Sequence, residues 1–92
     1  MIMIFTTETF DRLFLKLEKK IQRKAAMKTD IFKINPFNPV LRTEKLSPKK
    51  YGVWSFRVDL DYRIVFRFLE MEKAEFMFIG HHNQIYSYEI FS

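Results

Sequence analysis

Apolar residues recur every three or four positions in the first third of the chain, after a short apolar start at Met1–Phe5. That start favours a short strand, and a threonine hydroxyl at Thr6 or Thr7 can cap the helix that follows. Five apolar side chains then keep the spacing of one helix face: Phe10, Leu13, Phe14, Leu17 and Ile21. The pattern predicts an amphipathic helix that docks on a core.

The helical pattern weakens after Ile21 but does not stop at once. Four apolar residues keep a loose helical spacing up to the prolines of the segment 35–39: Ala25, Ala26, Ile31 and Ile34. Proline cannot continue a helix because it lacks the backbone N–H and clashes with the preceding turn. We therefore expect a helical hairpin, or one bent helix, that ends near Asn35.

The second half of the chain alternates apolar and polar residues, which is typical of half-buried strands. A charged connector over 40–50 comes first, followed by predicted strands at 53–60, 63–69 and 75–79. In the first strand Trp54, Phe56, Val58 and Leu60 form the core-facing set, and Arg57 points away. In the second strand Arg63, Val65 and Arg67 share a face. The third strand delivers Gly80, His81 and His82 at its end.

Length and composition indicate one folded domain over residues 1–92. The chain is 48% hydrophobic and 17% aromatic, with no cysteine, so neither a disulfide framework nor a thiolate metal site is expected. With only Gly52 and Gly80 there is no glycine-rich phosphate loop, and we expect no nucleotide cofactor. The apolar start is too short for a signal peptide, which indicates a cytoplasmic protein without a membrane span.

The net charge and the histidine pair limit which ligands and reactions the chain is expected to support. A formal charge of +5 favours polyanions or an acidic partner protein. Adjacent histidines in a strand point to opposite sides, and without a turn they cannot bind one ion. With no third histidine or cysteine, we expect no metal site. No serine stands in a nucleophile elbow.

The remaining polar residues have the composition of a site that cleaves RNA. Attack of a ribose 2′-hydroxyl on its neighbouring phosphate needs a base, cations that hold the transition-state charge, and an acid for the leaving oxygen. The substrate must carry the 2′-hydroxyl that separates RNA from DNA. The candidates are Glu44, Lys49, Lys50, Arg57, Arg63, Arg67, His81, His82 and Tyr86.

Three motifs, together with the order of the predicted elements, resemble the RelE/ParE superfamily of toxin-antitoxin toxins. The motifs are "GVWSFRV" (52–58), "DYRIVFRF" (61–68) and "FIGHHNQIY" (78–86). The resemblance covers nearly the whole chain. It implies an α+β fold in which a small twisted antiparallel sheet of about four strands packs against an N-terminal helical hairpin.

For the RelE-like and YoeB-like members, the resemblance also implies a function. It implies cleavage of messenger RNA, usually in the ribosomal decoding site, and silencing by a cognate antitoxin protein. Glu44 falls where the YoeB-like branch keeps its general base, and Arg57 and Arg63 match phosphate ligands. His81 or His82 matches the terminal histidine or arginine, either of which could be the acid, and Tyr86 matches the C-terminal tyrosine. Lys49 and Lys50 match a basic loop that contacts RNA.

The sequence also departs from the family pattern and leaves alternatives open. YoeB-like chains tend to finish on the histidine–tyrosine pair, whereas this chain continues to Ser92. A ParE-like toxin that inhibits DNA gyrase by binding would share the fold and need neither base nor acid. A third alternative is a toxin that has lost its activity and only binds its antitoxin or RNA. Arg57 and Arg63 could also merely cover the sheet or pair with Asp59 or Asp61.

Overall fold

A computed structural model describes residues 1–85, which contain five strands and three helices. The elements are β1 (Met3–Thr6), α1 (Glu8–Leu15), α2 (Lys19–Ile34), β2 (Glu44–Lys45), β3 (Trp54–Arg57), β4 (Tyr62–Glu70), β5 (Lys73–His81) and α3 (His82–Ile85). Single 3₁₀ turns at Pro39–Leu41 and Lys49–Tyr51 lie in the connector between α2 and β3. None of the described helices is long and apolar enough to cross a membrane.

The strands form one sheet in the order β1-β5-β4-β3-β2. Strands β2 to β5 pair antiparallel, whereas β1 pairs parallel with β5. The predicted α+β class is confirmed, but within residues 1–85 the sheet is mixed and has five strands instead of about four antiparallel ones. Strand β2 has two residues inside a charged connector, too few for an alternating pattern. The parallel pairing of β1 with β5 is a long-range contact, which local sequence patterns cannot predict.

The predicted helical hairpin is confirmed, although the apolar stripe through Ile21 is shared between its two helices. Thr7 caps α1, because its hydroxyl accepts a hydrogen bond from the Phe10 N–H at 3.1 Å. At the other end of α1, Gln22 Nε2 donates to the Phe14 carbonyl at 2.9 Å. The same carbonyl, in the last turn of the helix, also accepts a hydrogen bond from the Leu17 N–H at 3.1 Å. The chain therefore turns after Leu15, and Ile21 lies in α2.

The buried face of α2 differs from the predicted one. It consists of Ile21, Ala25 and Phe32, whereas Ile34 is 78% exposed. Ala26 is also exposed. Lys28 occupies the position between Ala25 and Phe32 on the buried face, and its ammonium donates to the Val58 carbonyl at 3.0 Å. A lysine at this position hides the apolar period, because its stem can be covered while its charged end reaches a polar group.

Phe32 is the centre of the core between α2 and the sheet. Its side chain is fully buried, and its ring centroid lies 5.0 Å from that of Phe56, 4.8 Å from Phe66 and 5.3 Å from Phe76. These are the spacings of favourable edge and offset ring contacts. Phe32 therefore joins α2 to strands β3, β4 and β5.

The first predicted strand of the meander is shorter than expected. Strand β3 ends at Arg57, and Leu60, predicted to face the core, is 78% exposed. Asp59 explains the early end, since its Oδ1 accepts hydrogen bonds from the N–H groups of Asp61 at 2.9 Å and Tyr62 at 2.8 Å. Side-chain bonds of this kind favour a turn over continued sheet.

A bulge in β5 sets which side chains near its end share a face. Val65 pairs with Phe78 and the next residue, Phe66, pairs with Phe76, so Met77 is the extra residue. Consequently Ile79 packs in the core beneath the helices, while Phe78 packs in a smaller cluster with Val65 and Ile85. A single extra residue reverses the alternation downstream of it.

Candidate active site

Strand pairing brings the two predicted phosphate ligands together. Arg57 lies directly opposite Arg63 across β3 and β4, and Arg63 lies opposite Gly80 across β4 and β5. Directly opposed residues share a sheet face and have Cβ atoms about 4.5–5.5 Å apart. Strand β5 ends at His81, one residue after Gly80. The arginine pair therefore adjoins the histidine pair.

Two arginines in this arrangement repel one another unless an anion lies between or beside them. The side chain of Arg57 makes no hydrogen bond or ion pair to any of residues 1–85. It lines a cavity of about 340 Å³ together with Lys28, Arg42 and the carboxylate of Asp59. The three cations outnumber that one carboxylate, so the opening keeps a positive charge suited to a phosphate group.

Lys28 and Arg42 are therefore candidate anion ligands that the sequence analysis missed. Lys28 is a polar residue within a predicted helix, and Arg42 lies in the charged connector. The backbone of Arg42 has the left-handed conformation, with φ 49°, immediately after the 3₁₀ turn. That conformation is uncommon for residues other than glycine. It is the one local signal at Arg42, and it is visible only in the structure.

Arg63 has a second role at the β3–β4 turn. Its Nη1 donates to the carbonyls of Asp59 at 3.1 Å, Leu60 at 3.1 Å and Tyr62 at 3.3 Å. These three contacts tie the guanidinium group of Arg63 to the backbone of the turn. Replacing Arg63 will therefore disturb the turn as well as any anion site.

The same turn holds a carboxylate whose charge is stabilised. Burial would raise the pKa of Asp59, but hydrogen bonds from the backbone N–H groups of Tyr62 and Asp61, and the nearby Lys24 ammonium, outweigh it. The pKa of Asp59 lies below its usual value as a result. The Lys24 Nζ to Asp59 Oδ2 distance is 3.3 Å. Asp59 pairs with Lys24 and does not pair with Arg57.

The histidines lie at a strand-to-helix junction, which changes the geometry assumed from the sequence. His81 is the last residue of β5 and His82 is the first of α3, and their rings stack with centroids 4.5 Å apart. The expectation that neighbouring histidines point to opposite sides of a strand is therefore wrong at this position, because the strand ends between them. Both rings are half-buried and lie against each other.

Three hydrogen bonds hold this junction in place. The His82 N–H donates to the Asp61 carbonyl at 2.7 Å, and the Asn83 N–H donates to His81 Nδ1 at 3.2 Å. The His81 N–H donates to Gln84 Oε1, also at 3.2 Å. A β-carbon at Gly80 would lie 3.0 Å from that same oxygen. Gly80 thus leaves room for the glutamine that orders the histidines.

Glu44 is nearer to the arginines than its place in the connector suggested. It lies on edge strand β2 opposite Ser55, two residues before Arg57. Residues two apart on a strand share a face and are separated by about 7 Å. The structure therefore places Glu44 one side-chain row from the Arg57–Arg63 pair, with its side chain exposed.

The other predicted RNA-binding residues lie apart from this group. Arg67 lies four residues along β4 from Arg63 and pairs with Glu75, with Nε and Oε1 2.9 Å apart. Lys49 and Lys50 are exposed on a 3₁₀ turn of the connector, where the Lys50 ammonium lies 5.4 Å from the Tyr51 ring centroid. Tyr86 lies outside the described residues.

This sheet and helical hairpin define a known class of fold, that of the bacterial and archaeal RelE- and YoeB-type toxins. The chain superimposes on a YoeB/ParE toxin from Agrobacterium tumefaciens with a TM-score of 0.73 and 19% identity, over 86% of this chain and 96% of that one. YafQ from E. coli superimposes with a TM-score of 0.72 and 18% identity, over 94% of this chain and 99% of YafQ.

An archaeal example gives the same result. The structure of the RelE–RelB complex from Pyrococcus horikoshii OT3 matches with a TM-score of 0.72 and 14% identity, over 90% of this chain and 97% of that one. No family model matches the sequence, and no curated protein matches it significantly. The resemblance expected from the three motifs is thus confirmed at the level of the fold.

Proposed function

We propose that the chain is the toxin of a type II toxin-antitoxin system, a metal-independent endoribonuclease that cleaves messenger RNA on the ribosome in the cytoplasm. The observation that carries the proposal is the Arg57–Arg63 pair, set opposite one another beside the strand end that bears both histidines. The shared fold with YoeB, YafQ and RelE toxins supports it.

The proposed reaction is a transesterification within the RNA. Glu44 accepts the proton of a ribose 2′-hydroxyl, and the 2′-oxygen forms a bond to the adjacent phosphorus. Arg57 and Arg63 hold the non-bridging oxygens as charge builds on them. The bond from phosphorus to the 5′-oxygen breaks, and His81 or His82 donates a proton to that oxygen. The products are a 2′,3′-cyclic phosphate and a 5′-hydroxyl.

The residues around this centre have supporting roles in the proposal. Lys28 and Arg42 extend the anion site on the side of α2, where they line the same cavity as Arg57. Lys49, Lys50 and Arg67 contact the RNA backbone farther out, and Tyr86 is a further proposed site residue on the strength of the sequence motif alone. Phosphate contacts of this kind position RNA without reading its sequence.

The proposed partner is a cognate antitoxin. RelE crystallises with RelB in the Pyrococcus complex, and YafQ with DinJ in one from E. coli. An antitoxin that silences this chain needs to shield the arginine pair, and carboxylate side chains are the groups that bind arginine best. We therefore propose that the antitoxin of this chain is acidic where it contacts Arg57 and Arg63.

A cleavage assay on defined message tests the proposal. Purified chain is added to ribosomes programmed with a short message, and the new ends are identified chemically. A matched message carries a 2′-deoxynucleotide at the cleaved position. Cleavage that leaves a 2′,3′-cyclic phosphate and a 5′-hydroxyl and disappears with the 2′-deoxy message is expected. Cleavage of the 2′-deoxy message, or a 5′-phosphate product, would contradict the mechanism.

A further inference from the structure

We propose that Asp61, His81 and His82 form a binding site for one Zn²⁺ ion, and that the bound ion inhibits the enzyme. A carboxylate oxygen of Asp61 and one ring nitrogen of each histidine all lie within 4.8 Å of one another. The inhibitory effect rests on the proposed nuclease function, whereas the binding itself does not.

The separations suit a tetrahedral zinc site after a small contraction. Zinc–nitrogen bonds of about 2.0–2.1 Å place two ligand atoms roughly 3.3 Å apart in such a site. Asp61 is exposed and both histidines are half-buried, so rotation of the side chains can close the remaining gap. The fourth position is left to water, as in zinc sites with three protein ligands.

The backbone brings the three ligands together without any metal. Strand pairing sets Tyr62 opposite His81, so Asp61 is adjacent to the end of β5. The hydrogen bond from the His82 N–H to the Asp61 carbonyl, at 2.7 Å, ties the same two segments. A site that is largely formed beforehand loses little conformational entropy on binding.

The competing interactions at the ligand atoms are weak. The Asn83 N–H lies 3.2 Å from His81 Nδ1, at the long end of hydrogen-bond distances, so a metal ion loses little by displacing it. The Asp61 carboxylate makes no ion pair or side-chain hydrogen bond within residues 1–85. Its negative charge offsets part of the repulsion that a chain of net charge +5 exerts on a cation.

Imidazole and carboxylate together are ligands typical of zinc, and imidazole separates such a site from those of magnesium or calcium. The consequence for the proposed reaction follows from the ring nitrogens. An imidazole nitrogen bound to zinc carries no proton at that atom and cannot donate one from it to the leaving oxygen. Zinc would therefore inhibit a reaction that needs no metal.

A binding experiment tests the site independently of activity. The full chain, with any polyhistidine tag removed, is titrated with ZnCl₂ by calorimetry, and histidine ring signals are followed by NMR. We expect one ion per chain, with both rings shifting together. His82→Gln and Asp61→Asn should each weaken binding about tenfold or more. Asp30→Asn, which removes an exposed carboxylate from α2, should leave binding unchanged.

Absence of zinc binding, more than one equivalent ion per chain, or equal weakening by Asp61→Asn and Asp30→Asn would overturn the site. For the inhibition, Asp61→Asn should cleave message like the unaltered chain but need about tenfold more zinc for half inhibition. Binding without any cleavage activity would leave the site intact and count against the proposed function. Active enzyme that binds zinc without losing activity would overturn the inhibition.

Discussion

Arg57 and Arg63 occupy equivalent positions on neighbouring strands, yet their side chains differ in what they contact. Arg63 donates to three carbonyls of the β3–β4 turn, whereas Arg57 lines the cation-rich cavity with no described hydrogen bond. A loss of activity in an Arg63 variant could therefore arise from a loosened turn. Arg57 is the arginine whose substitution separates anion binding from folding.

Arg57→Gln should slow message cleavage by roughly 100-fold to 1,000-fold, the range found when one charge-stabilising donor is removed from a transition state. Thermal unfolding followed by circular dichroism should change little. Arg23→Gln, on the exposed surface of α2, removes the same charge away from the site and is the control. Equal cleavage rates for the two variants would show that Arg57 holds no reacting phosphate.

Asp59 gives a prediction for the pH dependence of stability. Its pKa in the folded chain lies below its usual value. The stability it contributes is therefore present above the unfolded-state pKa, about 3.9, and is lost as pH falls through the lower folded-state pKa. Asp59→Asn keeps an oxygen that can accept the two turn hydrogen bonds but removes the charge.

Urea unfolding should show Asp59→Asn to be less stable than the unaltered chain by up to about 1 kcal/mol at neutral pH, because the Lys24 partner is partly exposed. The difference should vanish in strong acid, where the aspartate is protonated in both states. Asp30→Asn serves as the control and should show no such pH dependence. A difference for Asp59→Asn that persists at low pH would mean that the charge of Asp59 is not what stabilises the turn.

At the scale of elements, the junction between β5 and α3 depends on one glycine. A β-carbon at Gly80 would meet Gln84 Oε1 at 3.0 Å and the Phe78 ring at 3.3 Å. Gln84 accepts a hydrogen bond from the His81 N–H, so displacing it removes one of the hydrogen bonds that fix this junction. We therefore expect the orientation of the histidine rings to depend on the space that Gly80 leaves.

Gly80→Ala should lower the free energy of unfolding by roughly 1–3 kcal/mol, as overpacking does, and should shift the NMR signals of both histidine rings. Gly52→Ala is the matched control. Gly52 has φ +63° but open space around it, so the substitution adds backbone strain of about 1 kcal/mol in the connector alone. Unchanged histidine signals in Gly80→Ala would show that Gln84 does not order the pair.

The elements that the sequence predicted well are those with a local period. The alternation over 63–69 predicted β4, and the helical spacing from Phe10 predicted α1. Features set by distant contacts or by single side chains were not predictable in this way. Lys28 hides the buried face of α2, Asp59 ends β3 early, and the bulge at Met77 changes which residues share a face.

The candidate site was predicted in its composition more than in its arrangement. Arg57, Arg63 and His81 follow from the alternation and the three motifs, because strand pairing of a meander is regular. Lys28 and Arg42 come to the site from α2 and the connector, whose placement no local pattern fixes. The alternation over 63–69 predicted that Arg67 shares a sheet face with Arg63. In the structure the Arg67 guanidinium forms an ion pair with Glu75.

At the scale of the whole molecule, the net charge of +5 makes both RNA and an acidic protein attractive partners. The antitoxin is expected to place carboxylates against Arg57 and Arg63, because it must cover the cations that the RNA would use. A protein that suppresses growth arrest on co-expression identifies the antitoxin. Arg57→Gln should then weaken the purified complex and reduce the salt dependence of its dissociation constant.

Arg23→Gln is the control for the complex, and it should bind the antitoxin like the unaltered chain. A bound antitoxin segment that avoids the Arg57–Arg63 face would contradict the charge argument. That result would move the inhibitory contact to another surface of the fold, and the arginine pair would stay accessible to RNA in the complex.

The most direct test of the central claim is primer extension on cellular messenger RNA minutes after the chain is induced without its antitoxin, with a gyrase supercoiling assay on the same cells. We predict new cleavage ends within coding regions and unaffected supercoiling, with Arg57→Gln producing far fewer ends at equal expression. Intact messages together with inhibited gyrase would contradict the nuclease function, and would indicate a ParE-like toxin that uses this fold for binding alone.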